Sequence, residues 1–338
     1  MSEEERPKRR PRYSGRNPRK FGEKYKEHDP ARYAGDVAKV LASGKTPAGT
    51  HRAIMVREVM ETLAPQPGEV VVDCTLGYGG HARELLRAVQ PGGRLIGLDV
   101  DPIELPKCEA RLRALGFPDE SLAVHRSNFA GLAQVLAPIG GADAILADLG
   151  VSSMQIDNPA RGFTFKKDGP LDLRMNPERG QPASALLAAL TEPKLAQLLA
   201  EHSDEPNAAL LARALLVRPI ATTSTLANAI RVAQPRLKPA EVEDSIRRVF
   251  QALRIAVNDE FGALDTFLRH LPQCLRPGGR VAILTFHSGE DRRVKLAFKQ
   301  GAHDGVYSAI APDVIRPSPA EVRDNPRSSS AKLRWARM

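Results

Sequence analysis

Long apolar runs are missing from this 338-residue sequence. The longest, such as Val281 to Phe286, stop after a handful of residues, far short of the roughly 20 that a bilayer core demands, which excludes a transmembrane helix and any membrane partner. The basic run Arg6 to Arg10 has no apolar segment behind it, so it does not read as a secretory signal, and the expected location is the cytoplasm. Cysteine is scarce too. Cys74, Cys108 and Cys274 are an odd number without CxxC spacing, which argues against a disulfide framework and a zinc knuckle and predicts reduced, mostly buried thiols. The 8 histidines include no HxH or HExxH spacing, so no metal is expected. Aromatic residues make up only 5%, yet 42% apolar and 26% charged residues suit a chain that buries a real core in one large domain or two smaller ones.

The formal charge of +9 is unevenly spread. Residues 1–50 carry 13 Lys and Arg against 7 Asp and Glu, residues 51–315 carry 30 against 31, and residues 316–338 carry 6 against 2. A near-neutral body with basic ends is suited to a polyanion, and nucleic acid is the natural candidate; a solvated tail is the alternative. Residues 1–48 combine Arg, Lys, Pro and Gly with scarcely any apolar periodicity, which predicts a basic, extended or disordered arm.

From His51 a βαβ rhythm appears. A helix is expected around Ile54 to Leu63, strands at Glu69–Asp73, Arg94–Asp99, Leu122–His125 and Asp143–Asp148, and a fifth at Arg280–Phe286. Strands alternating with helices predict a parallel α/β sheet covered on both faces. The rhythm breaks after Asp148. Pro182 to Pro239 is Ala/Leu-rich and helical, which predicts an all-helical insertion, and Ile246 to Leu268 keeps helical spacing as one long amphipathic helix rejoining the sheet. The expected division is 1–48 as arm, 49–152 with 245–338 as the α/β domain, and 153–244 as the insertion. A final edge strand is expected over Ser330 to Trp335.

The most specific local feature joins the first strand to a helix: Asp73-Cys-Thr-Leu-Gly77-Tyr-Gly79-Gly80-His81-Ala82. Glycines there let backbone approach a ligand, and the helix start offers free N–H groups. The spacing of Gly77, Gly79 and Ala82 also fits a dinucleotide fingerprint, which keeps an NAD-dependent oxidoreductase open. A carboxylate at Asp73 would repel a pyrophosphate and attract an ammonium and a sulfonium, the charges of S-adenosylmethionine. Asp99 ends the second strand where an acid accepts ribose hydroxyls, or else caps a turn. Asp148 ends the fourth strand, so three acids converge on the crevice outside the strands' carboxyl ends. Phe129 is placed to face an adenine or to join the core. After the fifth strand, His287 is suited to orienting or proton handling, since imidazole titrates near neutrality, and Ser288 is the natural N-cap of the next helix. In the loop after the fourth strand, Phe163 and Phe165 are placed to stack on a splayed base and Arg174 to clamp a phosphate, or to pair with a nearby aspartate.

In ordered segments from His51 to the C-terminus the chain resembles the bacterial 16S ribosomal RNA cytosine-N4 methyltransferases. They include Asp73 to Ala82, Asp148-Leu-Gly-Val-Ser-Ser-Met-Gln155, Arg161-Gly-Phe-Thr-Phe165, Asp168 to Arg174, Phe250-Gln-Ala-Leu-Arg254, Phe286 to Arg292 and Asn325-Pro-Arg327. The resemblance implies a class I (Rossmann-like) S-adenosylmethionine-dependent methyltransferase sheet with an inserted all-helical substrate domain. It implies cofactor contacts at Gly79, Gly80, His81, Asp99, Phe129, Asp148 and Gln155, to which the residues themselves add Asp73 and Gly77. The implied reaction methylates N4 of one cytidine in the decoding centre, with small-subunit ribosomal RNA or the assembling small subunit as partner. Asp148, Ser152, Ser153 and His287 are the expected catalytic group, and Phe163, Phe165, Arg174 and Arg292 the expected RNA contacts. The chain departs from the family pattern at His202 to Pro206 and at Gly289, where a bulkier residue is usual. An RNA-binding assembly protein without catalysis is the remaining alternative.

Overall fold

The computed structural model describes residues 53–338, so the arm expected over 1–48 lies outside the described residues. Val70–Asp73 (β1), Arg94–Asp99 (β2), Leu122–Arg126 (β3), Ala142–Asp148 (β4) and Leu275–Thr285 (β5) run parallel, and Ala309–Ile310 (β6) and Lys332–Arg337 (β7) complete one sheet. Its order is β3-β2-β1-β4-β5-β7-β6, with β7 antiparallel to both neighbours. The expected Rossmann-like sheet is therefore present. Strand order reverses at β1, which pairs with β2 on one side and β4 on the other, and such a switch point is where an open α/β sheet leaves a crevice for ligand.

Both faces of the sheet are buried because its strands are apolar at nearly every position. Ile145, Ala147, Val281 and Ile283 face one core, beside the helices Leu132–Leu136 (α4), Glu260–Cys274 (α11) and Ser288–His303 (α12). Ala144, Leu146, Ala282 and Leu284 alternate to the other, beside Val56–Leu63 (α1), Gly80–Ala88 (α2) and Leu105–Arg113 (α3). Cys74, Cys108 and Cys274 are free and buried, as expected, and burial pushes the thiols of Cys108 and Cys274 up to about 12 and about 11.

After β4 come the short helix Ser153–Asp157 (α5) and then Ala183–Ala189 (α6), Glu192–Ser203 (α7), Ala208–Leu215 (α8), Thr223–Ala233 (α9) and Pro239–Asn258 (α10). Leu187, Leu199, Leu211, Ile230, Ile246 and Leu253 help to build a core separate from the two on the sheet. The single helix expected across Ile246 to Leu268 is two. Asp259 takes a left-handed conformation (φ 48°) that ends α10 and starts α11, a conformation the short polar Asp side chain tolerates. The expected boundary at 244/245 falls inside α10, whose Ile246, Val249, Phe250 and Leu253 belong to the insertion's core. The sheet is rejoined by α11, through Leu264, Phe267 and Leu268. The C-terminal strand is likewise internal to the sheet, with the two-residue β6 outside it.

Candidate active site

Gly79 makes the turn from β1 into α2 feasible. Its φ of +87° suits glycine, and a Cβ there would stand 2.8 Å from Sγ of Cys108. The turn carries the backbone N–H of Gly77 to Oδ2 of Asp99 (2.8 Å), while Asp101 N–H donates to Oδ1 (2.9 Å), so two amides fix the carboxylate at the end of β2. Asp73 lies beneath the same turn, 1% exposed, accepting the N–H of Thr75 at 3.1 Å. Thr75 Oγ1 in turn accepts the N–H of Asp148 at 2.7 Å, tying the ends of β1 and β4 together.

The three carboxylates stand together at the strand ends, Asp73 buried and Asp99 and Asp148 half-buried. Burial raises all three pKa values: Asp73 to about 6, tempered by His81 and the Thr75 amide; Asp148 to about 7, with Glu290 adding repulsion; and Asp99 upward despite its two amides. Among the described residues none of the three has a Lys or Arg within ion-pair distance, and Oδ1 of Asp148 is enclosed with no hydrogen-bond partner. Clustered, partly desolvated acids without a counter-charge fit a cationic ligand. The charge of the set thus suits S-adenosylmethionine, which carries an ammonium and a sulfonium.

His81, on the first turn of α2, is buried. Nε2 lies 2.9 Å from the carbonyl oxygen of Ile54, and Nδ1 faces Oδ2 of Asp148 at 3.6 Å. Burial lowers its pKa, with Asp73 and the Ile54 bond partly opposing that shift. Phe129 packs edge-on to Phe267 with ring centres 5.5 Å apart, against the core under the crevice.

Ser152 caps α5 in a reciprocal box, its Oγ accepting Gln155 N–H and its own N–H donating to Oε1 of Gln155. Ser153 is the first residue of that helix. The Gln155 amide donates to Oδ2 of Asp101 at 2.9 Å, and the same oxygen accepts from Arg161 at 2.7 Å. The buried Asp101–Arg161 pair was not foreseen from the sequence. Arg161 also donates to the carbonyls of Arg174 and Met175, so this pair anchors the loop after β4 to the end of β2.

His287, rather than Ser288, is the N-cap of α12, and Ser288 donates instead to Oδ2 of Asp204 in the insertion. Nε2 of His287 lies 3.1 Å from Oε1 of Glu290, whose Oε2 accepts the N–H of Phe286 at 2.9 Å. Burial alone would raise the Glu290 pKa, but His287, Arg254 and the Phe286 amide hold it low. Glu260, His287 and Glu290 converge closely enough to suggest metal ligands, but Arg254 grips both oxygens of Glu260, at 2.7 and 2.8 Å, making an ion-pair network. The departure at Gly289 has a local cause. A Cβ there would meet the Phe261 ring at 2.6 Å, and that ring lies between His202 (5.4 Å) and His287 (5.8 Å), so both departures meet at one contact.

The residues expected to meet RNA are not brought together as a set. Phe165 packs on Phe250, ring centres 5.4 Å apart, and Phe163 lies against the insertion's core. Arg174 pairs with both oxygens of Asp172, at 2.8 and 2.7 Å, as its alternative reading has it. Arg292 stands exposed on α12.

Comparison with known proteins agrees with this architecture. The model of the MraW methylase family matches residues 48–338. A protein of Alkaliphilus metalliredigens named Ribosomal RNA small subunit methyltransferase H 2 is 49% identical over 342 residues, covering 98% of each chain. One of Lachnoclostridium phytofermentans, named Ribosomal RNA small subunit methyltransferase H 1, is 48% identical over 97% of this chain and 92% of its own. With the matched segment taking in the whole sheet, the crevice and the insertion, the chain belongs to the MraW methylase family.

Proposed function

We propose that this methylase transfers the methyl group of S-adenosylmethionine to the exocyclic N4 of a cytidine in the decoding centre of small-subunit (16S) ribosomal RNA. The observation that carries the reading is the set of carboxylates at the switch point of the sheet, Asp73 buried and Asp99 and Asp148 half-buried, with no Lys or Arg paired to them among the described residues. When bound there, S-adenosylmethionine supplies an electrophilic methyl on a positively charged sulfur. The names of the relatives support small-subunit ribosomal RNA as the substrate class.

Cytosine N4 is a weak nucleophile because its lone pair is conjugated into the ring, so the chain's task is to position it and to accept its proton. Positioning in line can lower such a barrier by about 7 kcal/mol or more. Asp148 is the proton acceptor in this reading. It stands at the mouth of the crevice, its backbone is fixed by Thr75, and its carboxyl, raised to about 7, titrates near neutral pH where a general base is effective. His81 faces that carboxyl across 3.6 Å, Ser152 and Ser153 present small side chains at the substrate's approach, and His287 closes the side along β5.

The test is methyl mapping. Small subunits from a strain lacking this activity are incubated with labelled S-adenosylmethionine and the protein, and the RNA is digested to nucleosides. Label in N4-methylcytidine at a single decoding-centre position is expected. Label in another nucleoside refutes the N4 assignment, and no label in the RNA refutes the substrate.

A further inference from the structure

The body of the chain is nearly neutral, so a local separation of charge is informative. Helix α12 begins at the rim of the crevice, next to His287. Its buried side carries Glu290 toward the site and Val294 and Phe298 into the sheet core. Its acids and one arginine are saturated: Asp291 pairs with Lys332 at 3.0 Å and Arg334 at 2.7 Å, Arg293 pairs with Asp265 at 3.2 Å, and Asp304 is held by His303 and Gln300.

The opposite side is different. Arg292, Lys295 and Lys299 are exposed at i, i+3 and i+7, one above the other on the same face. Among the described residues none of the three has an acidic partner within ion-pair distance. Between them Leu296 is 61% exposed. At about 1.5 Å rise per residue, this basic strip runs roughly 10 Å from the first turn of the helix, leading away from the crevice.

Unpaired cations around one apolar side chain match a polyanion that also presents ribose and base surfaces. We propose that the Arg292, Lys295, Leu296 and Lys299 face of α12 is a docking track for the phosphate backbone of the RNA strand whose cytidine enters the crevice. This rests on the RNA substrate proposed above and adds the surface that holds it. Lys295 and Lys299 each contact a phosphate, and Leu296 packs on the sugar or base between them.

The test compares the wild-type protein with the double variant Lys295→Ala/Lys299→Ala, and with Arg94→Ala, which removes an exposed cation at the far end of the sheet. The probes are a 16S ribosomal RNA transcript and unmethylated small subunits, each titrated at several salt concentrations. For the double variant, Kd for the transcript should rise roughly tenfold near 0.1 M salt, and the dependence of log affinity on log salt should flatten by about 1.5. Melting temperature and S-adenosylmethionine affinity should stay at wild-type values, and Arg94→Ala should bind RNA as wild type does. A double variant with unchanged affinity and slope, while the wild type still methylates small subunits, overturns the docking track alone. Weakened binding to small subunits with an unchanged slope on the transcript also overturns it, since the face would then meet a ribosomal protein. A wild-type protein that neither binds nor methylates the RNA removes this inference together with the substrate reading.

Discussion

Nδ1 of His81 stands 3.6 Å from Oδ2 of Asp148, while Nε2 of the same ring stands 2.9 Å from the carbonyl oxygen of Ile54. A carbonyl only accepts, so Nε2 carries the hydrogen and Nδ1 turns a lone pair toward the carboxyl. An ionised Asp148 therefore faces another acceptor, whereas a protonated Asp148 faces a partner. The arrangement suits a carboxyl that must take up a proton during each turnover.

Nitrogen-15 NMR of histidine-labelled protein should show His81 neutral at pH 7 and protonated on Nε2, because burial disfavours the imidazolium. A cationic His81, or the Nδ1–H tautomer, contradicts this arrangement.

Asp148→Asn should lower the single-turnover methylation rate about 100-fold or more at saturating S-adenosylmethionine, the scale of a lost general base. Burial raises the carboxyl to about 7, and only the carboxylate accepts a proton, so the wild-type rate should climb from about pH 6 to about pH 8. The variant's residual rate should be flat there. An unchanged rate in Asp148→Asn would refute the role.

The same shift has an opposite effect on stability. A folded-state pKa above the unfolded value favours folding below about pH 4, and that contribution is lost as pH rises to about 7. Asp148→Asn lacks the half-buried charge, so above pH 7 it should melt a few degrees higher than wild type, with the gain shrinking toward pH 4. Differential scanning fluorimetry across pH measures this, and a melting difference independent of pH would count against it.

Arg161→Ala leaves Asp101 buried without its guanidinium and also removes the donor to two loop carbonyls. A loss of roughly 3–5 kcal/mol in urea unfolding is expected, as for other buried pairs broken from one side. A loss below about 1 kcal/mol would show that the pair is not the anchor of this loop.

Gly289→Leu should destabilise by about 1–3 kcal/mol through collision with the Phe261 ring, and Phe261→Ala in the same chain should recover much of that. Additive losses in the double variant would place the strain elsewhere.

Much of this was legible in the sequence because apolar runs such as Val70 to Val72 and Ala144 to Ala147 have no solvent-facing register and so declare buried parallel strands. The acids at strand ends were legible for a related reason, since a carboxylate directly after such a run is placed by it. The break between α10 and α11 was not, because the helical spacing continues through Asp259 and neither Gly nor Pro marks the stop. Two residues are too few to declare β6. The Asp101–Arg161 pair joins positions 60 apart, and Asp101 before Pro102 reads locally as a turn. Phe165 and Arg174 show the converse: residue types suited to RNA are taken up by Phe250 and Asp172, partners that only the fold reveals.

The most direct measurement is a calorimetric titration of the wild-type protein with S-adenosylmethionine and, separately, with NAD. The uncompensated acids at the ends of β1, β2 and β4 predict saturable binding of the sulfonium compound and none of the dinucleotide. Binding of NAD with equal or greater affinity, or no binding of S-adenosylmethionine, would contradict a crevice built for a cation.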